Sequence, residues 1–361
     1  MDKLNEARRI INEVDAEMAR LFEKRMGAVR AVAEYKAERG LEIFDAAREA
    51  EVVRMGKDKV EDPEIGKYYV SFLKNTMTVS KEYQEAILKG MKVAYSGTEG
   101  AFAHIATCKL FPTARKIAYG DFGAAYKAVE NGECDAVVLP TENSYNGEVG
   151  QVTDLISSGS LYINSMYELA VCQDLLVCKG ATISDIKTVV SHPQALGQCA
   201  EFISKHGFAT KEFVNTALAA RMVADGDDRS VAAIASGEAA EIFGLEVLER
   251  NINSDRSNTT RFAVLSRTEN KIEKSKMGVH TVLTFTVRNE AGALAKAINI
   301  IGKHGFNMQS IRSRPMKELL WQYYFYVEAE GNINSPEGKE MLEELGKYCD
   351  RLKVLGTFTK K

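Results

Sequence analysis

Three short polar clusters interrupt the apolar middle of the chain, and their side chains are of types that bind small charged molecules. The clusters are residues 140–144, 191–194 and 258–262, which together supply hydroxyls, amides, a carboxylate and a guanidinium. The first follows the apolar run 136–139, and the second follows residues 189–190. Ligands of open α/β sheets bind outside the carboxyl ends of the strands. Each cluster alone is typical of a turn, but the three together predict a pocket for a small polar, anionic molecule.

A second set of polar residues lies in the first 88 residues, where apolar residues recur at helical spacing. Arg25 and Lys36 are eleven residues apart, which places them on one helix face with Cα atoms roughly 16 Å apart. Two long side chains at that distance can converge on one ligand. Spacings of three and four residues also place two further groups on one helix face each: Asp45, Arg48 and Glu49, and Ser80 and Gln84.

Arg8 is different, because it lies about 25 Å from Arg25 along a straight helix. It cannot reach a ligand that Arg25 of its own chain holds. If Arg8 belongs to such a site, the site is that of a partner chain and the region is an intertwined dimer. Spacing alone leaves open the alternative that these charges form a solvated helix face.

The remainder of the chain contains two regions with different sequence patterns. From residue 91 to about 267, short β-rich runs alternate with helical stretches, which predicts an open α/β domain. The charged stretch 268–276 has the composition of a linker. Residues 279–361 predict a ferredoxin-like βαββαβ unit, with elements at 281–287, 293–304, 308–313, 323–328, 336–348 and 353–358.

Composition excludes several classes of protein. A formal charge of −3 over 361 residues argues against nucleic acid as the main partner. No apolar stretch is long enough to span a membrane, and the first residues have no apolar signal core. The six cysteines lack the spacing of zinc or redox motifs, which favours a reduced cytoplasmic setting. The five scattered histidines predict no metal site.

The helical region resembles the all-helical chorismate mutases, with the polar positions in register: Arg8, Asp15, Arg25, Lys36, Asp45, Arg48, Glu49, Ser80 and Gln84. The rearrangement of chorismate to prephenate needs neither proton transfer nor a cofactor, so a site must hold the reactive conformer and stabilise the ether oxygen. The resemblance implies that Arg25 and the Arg8 of a partner bind the carboxylates. It assigns Lys36 and Gln84 to the ether oxygen, with Asp45 and Glu49 near the ring hydroxyl. Arg48 and Ser80 would complete the lining.

Residues 91–267 resemble prephenate dehydratase. The resemblance rests on residues 95–102, on the Thr-Glu-Asn-Ser and Ser-His-Pro-Gln clusters, on Gln198-Cys199 and on Thr260-Arg261-Phe262. It implies two α/β lobes, similar to a periplasmic binding protein, with the site in the cleft. It assigns Thr260 as hydrogen-bond donor to the departing hydroxyl and Arg261 to the side-chain carboxylate. Oriented hydrogen bonds would come from Asn143, Ser144, Ser191 and Gln198.

Two other residues of these clusters have open assignments. Glu142 is a candidate proton source if burial raises its pKa, and the alternative is a helix cap or a salt bridge. Phe262 is either a wall of the pocket or part of the core.

The βαββαβ unit resembles the ACT domain, which binds amino acids at dimer interfaces. Backbone amides at the start of its first helix suit a carboxylate, and the pattern of phenylalanine-regulated dehydratases falls on Gly292, Ala293, Leu294, Asn307, Ser313 and Arg314. Arg312 stands where that family has glutamate. A charge reversal beside a ligand with both charges is expected to weaken phenylalanine binding or its transmission. The alternative is a unit that serves only dimerisation.

These resemblances predict three domains: a mutase domain at 1–88, a dehydratase domain at 91–267 and an ACT domain at 279–361. The chain would convert chorismate through prephenate to phenylpyruvate as a homodimer or homotetramer, with L-phenylalanine as effector and no cofactor or metal. The rival hypotheses are a two-lobed solute receptor, a ligand-responsive regulator with a helical arm, and an enzyme whose mutase domain is degenerate.

Overall fold

The computed structural model describes residues 3–57, 59–88, 90–254, 257–272, 278–316 and 322–359. Within it the chain forms two compact units. One comprises residues 1–91 with 113–115, and the other comprises residues 92–112 with 116–361. No helix in the described part of the chain is long and apolar enough to cross a membrane.

The first unit is helical, as predicted for the first 88 residues, and consists of α1 (Lys3–Arg39), α2 (Ala46–Lys57) and α3 (Pro63–Leu88). Helix α1 ends before Gly40, whose φ of +59° is in the left-handed region that favours glycine. Helix α3 begins with a proline at its first position, where no amide partner is needed, and the Asp62 carboxylate accepts a hydrogen bond from the Glu64 amide. Both α1 and α2 pack against α3.

The second unit begins with an α/β lobe, here called the first lobe. Its sheet has the order β2-β1-β3-β11-β5, and β4 pairs with β3. Strands β1 and β3 are parallel, whereas β11 is antiparallel to both β3 and β5. The elements are β1 (Lys92–Ser96), α4 (Phe102–Leu110), β2 (Arg115–Tyr119), α5 (Phe122–Glu130), β3 (Ala136–Asn143), β4 (Gly147–Glu148), α6 (Gly150–Ser158), β5 (Tyr162–Ala170) and β11 (Thr259–Ser266).

The second lobe is inserted between β5 and β11, so the chain crosses between the lobes twice. Its five strands have the order β10-β6-β9-β7-β8. The elements are β6 (Asp174–Val177), β7 (Thr188–Ser191), α7 (Pro193–Gln198), α8 (Ala200–His206), β8 (Ala209–Glu212), α9 (Thr216–Gly226), β9 (Val231–Ala235), α10 (Gly237–Phe243) and β10 (Glu246–Glu249). The predicted two-lobed α/β fold is therefore confirmed.

The predicted βαββαβ unit is also confirmed, and residues 279–359 are here called the C-terminal domain. Its antiparallel sheet has the order β13-β14-β12-β15. Alternate residues of β12 and β14 pack against helices on one face and against the first lobe on the other. The elements are β12 (Val279–Val287), α11 (Ala293–Lys303), β13 (Asn307–Pro315), β14 (Tyr323–Glu330), α12 (Pro336–Gly346) and β15 (Cys349–Thr359).

The segment predicted as a linker is tied to the sheet of the first lobe over its described part. The Asn164 side chain donates to the Thr268 carbonyl at 2.7 Å and accepts from the Asn270 amide at 2.8 Å. The Thr357 hydroxyl donates to the Asn270 carbonyl at 2.7 Å. Residues 273–276 of the predicted linker lie outside the described residues.

The C-terminal sheet lies so close to β5 that one position admits no side chain. Gly356 has a φ of +147°, and a Cβ there would be 2.1 Å from the Ile163 carbonyl oxygen. We expect Gly356→Ala to destabilise this unit by about 3 kcal/mol, because both backbone conformation and packing would be strained. Gly346→Ala is the control, since nothing lies within 4 Å of its added methyl. Denaturant midpoints of the two variants test this, and equal midpoints would contradict the close approach.

Candidate functional site

The cleft between the two lobes is a cavity of about 440 Å³ whose walls combine apolar surface with several polar side chains. The antiparallel pairing of β3 and β11 places Asn143 directly opposite Thr260. Asn258, just before β11, also lines the cavity and is only 3% exposed. Two of the three predicted clusters thus meet because their strands are neighbours in one sheet, and the third contributes His192 and Gln194 from the other lobe.

The hydrogen bonds of Asn143 determine how Thr260 is oriented. The Asn143 Oδ1 atom accepts from the backbone amides of Tyr145 and Asn146, both at 3.0 Å. The Nδ2 group must therefore face β11, where it donates to Thr260 Oγ1 at 3.0 Å and to Asn258 Oδ1 at 2.7 Å. Since the Thr260 oxygen accepts from Asn143, its own proton is available for a molecule in the cleft.

The second lobe contributes Gln198 to the cavity, together with a residue that the sequence analysis missed. Gln173 is 2% exposed and lines the cavity, and its Nε2 lies 3.5 Å from Gln198 Oε1. Among the described residues the Gln173 Oε1 atom has no hydrogen-bond partner. A buried amide oxygen without a partner is costly, so it is suited to accept a hydrogen bond from a ligand. The sequence signal was weak because Gln173 lies outside the three clusters.

Three helices begin at this cavity. Residues at or next to the N-termini of α4, α7 and α9 line it, namely Ala101, His192 and Asn215. The side chains of His192 and Asn215 cap their own helices, whereas α4 has no side-chain cap. Helix N-termini attract anions through their amides and dipoles.

Arg261 points away from the cavity, which differs from the expectation. Neighbouring residues of a strand face opposite sides of the sheet, and Thr260 faces the cleft. The Arg261 guanidinium instead forms a two-bond pair with Glu328 of β14, at 3.0 Å for each bond. Desolvation opposes the charge on Arg261, yet the hydrogen bonds and charge of Glu328 raise its pKa.

Glu142, which precedes Asn143 in β3, also faces the C-terminal domain. Its carboxylate accepts a hydrogen bond from Arg312 Nη2 of β13 at 2.6 Å. A salt bridge was the alternative to a proton source in the sequence analysis, and the structure has the salt bridge. The Glu142 side chain does not line the cavity, so it is not placed to protonate a ligand there.

The other predicted side chains of these clusters are structural in their placement. The Ser191 hydroxyl is buried and donates to the Ile234 carbonyl at 2.6 Å. Ser144 accepts from the Thr259 amide at 2.9 Å and donates to the Ser257 carbonyl, which joins the two loops. Phe262 is 1% exposed and belongs to the core, one of the two assignments left open.

The helical unit brings part of its predicted set together between α1 and α3. The Arg25 guanidinium donates to the Ser80 hydroxyl, and the Lys36 ammonium donates to the Ile43 carbonyl. Ser80 and Gln84 are buried on α3, and Gln84 Oε1 has no partner among the described residues.

The remaining predicted residues of this unit lie further out. Glu49 pairs with Lys81 at 2.8 Å and Arg48 pairs with Glu51 at 2.6 Å. Asp45 accepts a hydrogen bond from the Arg48 amide at 3.0 Å. Arg8 is exposed near the start of α1, remote from Arg25.

The predicted effector residues lie on both sides of the C-terminal sheet. Gly292 has a φ of +83° and precedes α11, which begins at Ala293 and Leu294. Asn307 and Ser313 are exposed on β13. Arg314 faces the first lobe, where it forms two 2.9 Å hydrogen bonds with Asp154 of α6. This pairing raises the pKa of Arg314.

Comparison with known proteins relates each region to a family. Residues 7–85 match the chorismate mutase type II model, residues 93–270 the prephenate dehydratase model and residues 281–347 the ACT domain model. A bifunctional chorismate mutase/prephenate dehydratase of Neisseria gonorrhoeae is 30% identical over 358 residues, which is 97% of this chain and 95% of that protein.

Solved structures match the second unit of the chain. A prephenate dehydratase from Arthrobacter aurescens, in complex with L-Phe, has a TM-score of 0.69 and 27% identity over 75% of this chain and 90% of that one. GqqA, described as a quorum quenching acylase, has a TM-score of 0.70 and 30% identity over 75% of this chain and 98% of that one.

Proposed function

The chain belongs to the bifunctional chorismate mutase/prephenate dehydratase family, and on this basis we propose which residues perform the two reactions and how they are regulated. It rearranges chorismate to prephenate and converts prephenate to phenylpyruvate. The assignment of residues, the oligomeric state and the control by L-phenylalanine are our proposals.

The hydrogen bond from Asn143 to Thr260 carries the proposal for the dehydratase site. Prephenate loses its ring carboxylate as carbon dioxide while its ring hydroxyl, which takes up one proton from solvent, leaves as water. The electrons of the breaking C–C bond enter the ring as the C–O bond breaks, and aromaticity drives the process. The Thr260 hydroxyl donates to the leaving oxygen and is itself polarised by Asn143. A threonine hydroxyl is a poor acid, so Thr260 acts as a hydrogen-bond donor rather than as the source of the proton.

The substrate's other groups meet the remaining walls of the cleft. Since Arg261 and Glu142 face the C-terminal domain, we assign the side-chain carboxylate of prephenate to the uncapped N-terminus of α4. Gln198, with Gln173 behind it, supplies oriented hydrogen bonds from the second lobe. Substrate contacts from both lobes would close the cleft and exclude water.

For the mutase site, the proposal rests on the buried polar face where α1 meets α3. Arg25 and a partner's copy of the Arg8 side chain bind the two carboxylates of chorismate. Lys36 and Gln84 donate to the ether oxygen, whose negative charge grows as its bond breaks. Gln84 is 7% exposed. Its amide is neutral at every ordinary pH, so it can donate a hydrogen bond without being protonated first.

We propose a homodimer, or a tetramer of two dimers, formed through the helical unit. Large apolar side chains recur on α1 at helical spacing and are 42–57% exposed, namely Leu4, Ile11, Val14, Met18 and Leu21. A continuous apolar stripe of this kind marks an interface. A second copy is the natural occupant, because the Arg8 of a partner is also what the mutase site lacks.

We also propose a cytoplasmic location. All six cysteines are free, and burial raises the pKa of several of their thiols, Cys199 to about 12. Unreactive free thiols fit a reducing compartment.

L-Phenylalanine is the proposed feedback effector. Its carboxylate would lie at the N-terminus of α11, next to Gly292, and its ammonium near Asn307 of β13. Both positions are on the C-terminal domain, and the complex of the Arthrobacter relative with L-Phe supports this choice of ligand.

The first prediction concerns the Asn143 hydrogen bond. Asn143→Asp keeps the acceptor for the two loop amides but loses the donor, so the Thr260 proton turns toward the new carboxylate. We expect kcat for prephenate conversion to fall at least a hundredfold, about 3 kcal/mol of barrier, with a smaller change in KM. Asn131→Asp, on the exposed end of α5, adds the same charge and should have no effect. A change in KM alone would contradict this role.

The second prediction concerns the shared mutase site. Arg8→Ala and Lys36→Ala should each abolish mutase activity in a homodimer. In a mixed dimer, one site receives both wild-type residues, so co-refolding equal amounts should restore about a quarter of the wild-type rate. Mixing without refolding serves as the control. If no activity returns although size measurements show mixed dimers, Arg8 acts within its own chain or not at all.

The third prediction tests the overall function and its control. The purified chain should form phenylpyruvate from chorismate without added prephenate, and L-phenylalanine should lower this rate at subsaturating substrate. Asn307→Ala should weaken the inhibition, whereas Asn131→Ala should not. Product formation that phenylalanine leaves unchanged would argue against the effector. Absence of product would restore the solute-receptor hypothesis.

A further inference from the structure

Four charged residues join the C-terminal sheet to the two strands that carry Asn143 and Thr260, and they are here called the ion cluster: Glu142, Arg261, Arg312 and Glu328. Arg312 bonds Glu142 at 2.6 Å, and Arg261 bonds Glu328 twice at 3.0 Å. Arg261 Nη1 also lies 3.9 Å from Glu142 Oε2, so the two pairs form one array.

The ion cluster is shielded from solvent. The side chains of Glu328, Arg312 and Arg261 are 4%, 17% and 20% exposed, and that of Glu142 is 33% exposed. The Arg312 guanidinium also lies 5.7 Å from the ring centre of the buried Tyr326. Removing Glu142 would leave the Arg312 guanidinium without this carboxylate in a poorly solvated place, whereas Arg261 also lies 3.6 Å from Glu168.

The position of the ion cluster in the sequence gives it a consequence for catalysis. Glu142 directly precedes Asn143 in β3, and Arg261 directly follows Thr260 in β11. Neighbouring strand residues face opposite sides of the sheet. Each strand is therefore fixed by an ion pair on one side and presents a proposed catalytic group on the other.

The ion cluster includes Arg312 of β13, which is the strand that we propose to contact the effector. Arg312 and Arg314 are two residues apart on β13 and both face the first lobe, where they bond Glu142 and Asp154. Ser313 lies between them and is exposed. A shift of β13 when an amino acid binds would therefore move Glu142, and with it the end of β3.

We propose that Glu142 and Arg261 are positioning residues that set the Asn143–Thr260 geometry through Arg312 and Glu328, and that Arg312 transmits effector binding to the dehydratase cleft. This inference rests on the proposed roles of Asn143 and Thr260. Because Arg312 is paired with the oppositely charged Glu142, the arginine at this position is suited to contact the first lobe rather than the effector.

A double-mutant cycle tests the pair, with Glu142→Gln, Arg312→Gln and the double variant. Each single change should lower kcat for prephenate at least tenfold with little change in KM. The double variant should lose no more than the worse single one, because neither charge is left unpaired. Arg312→Lys should retain most activity, since it keeps the charge. Lys347→Gln, which breaks the exposed pair with Glu343, is the control.

Two further measurements separate positioning from general damage. Denaturant midpoints of the same variants report whether the second unit, which carries the substitutions, is folded. Equilibrium dialysis should show that Arg312→Gln still binds L-phenylalanine while its dehydratase is inhibited at least tenfold less. Additive losses in the cycle, or a loss of activity in Glu142→Gln that Arg312→Gln does not share, would overturn the inference and return Glu142 to a direct role.

The Thr260→Val variant separates failure of this inference from failure of the proposed dehydratase site. If Thr260→Val keeps its activity, the catalytic assignment fails whatever the cycle shows. If Thr260→Val is inactive but Arg312→Gln has wild-type kcat and normal inhibition, the site stands and the ion cluster carries no signal.

Discussion

The pairing of β3 with β11 is the contact on which the rest of the second unit depends. Its register places Asn143 opposite Thr260 and Glu142 opposite Arg261. A slip of one residue would turn each of these side chains to the other face of the sheet. The register therefore determines both which side chains line the cleft and which side chains contact the C-terminal domain. A bulge immediately after Arg261 ends this regular stretch.

The face turned to the C-terminal domain combines an apolar core with directed charges. Tyr326, Leu355 and Phe358 pack into the core of the first lobe, which supplies most of the favourable free energy of contact. The hydrophobic effect is non-directional, whereas paired charges are costly to misalign. Lys353 adds a further directed contact, because its ammonium donates to carbonyls at the end of α6, although desolvation lowers its pKa. These contacts define one relative position of sheet and lobe.

Sequence reasoning succeeded where the signal is local and failed where it is not. The helical nature of the first 88 residues and the βαββαβ order follow from periodicity, and the polar clusters mark strand ends. Arg261 was expected in the cleft beside Thr260, yet strand alternation alone argues that adjacent residues cannot both face it. The partners of Glu142 and Arg261 could not be found, since Arg312 is 170 residues from Glu142 and Glu328 is 67 residues from Arg261. Gln173 was missed because nothing but burial distinguishes it.

The two proposed active sites place different demands on assembly. The described walls of the proposed dehydratase cleft come from both lobes of one chain. The proposed mutase site, by contrast, uses Arg25 of α1 for one carboxylate and assigns the other to Arg8, which the length of the helix keeps out of reach within one chain. The exposed apolar stripe of α1 makes the isolated helical unit unfavourable in water. Dimerisation would therefore bury that stripe and complete the mutase site in the same step, so that selection for stability and for mutase activity acts on one surface. The basal chemistry of the dehydratase is expected to tolerate changes in α1 that the mutase does not.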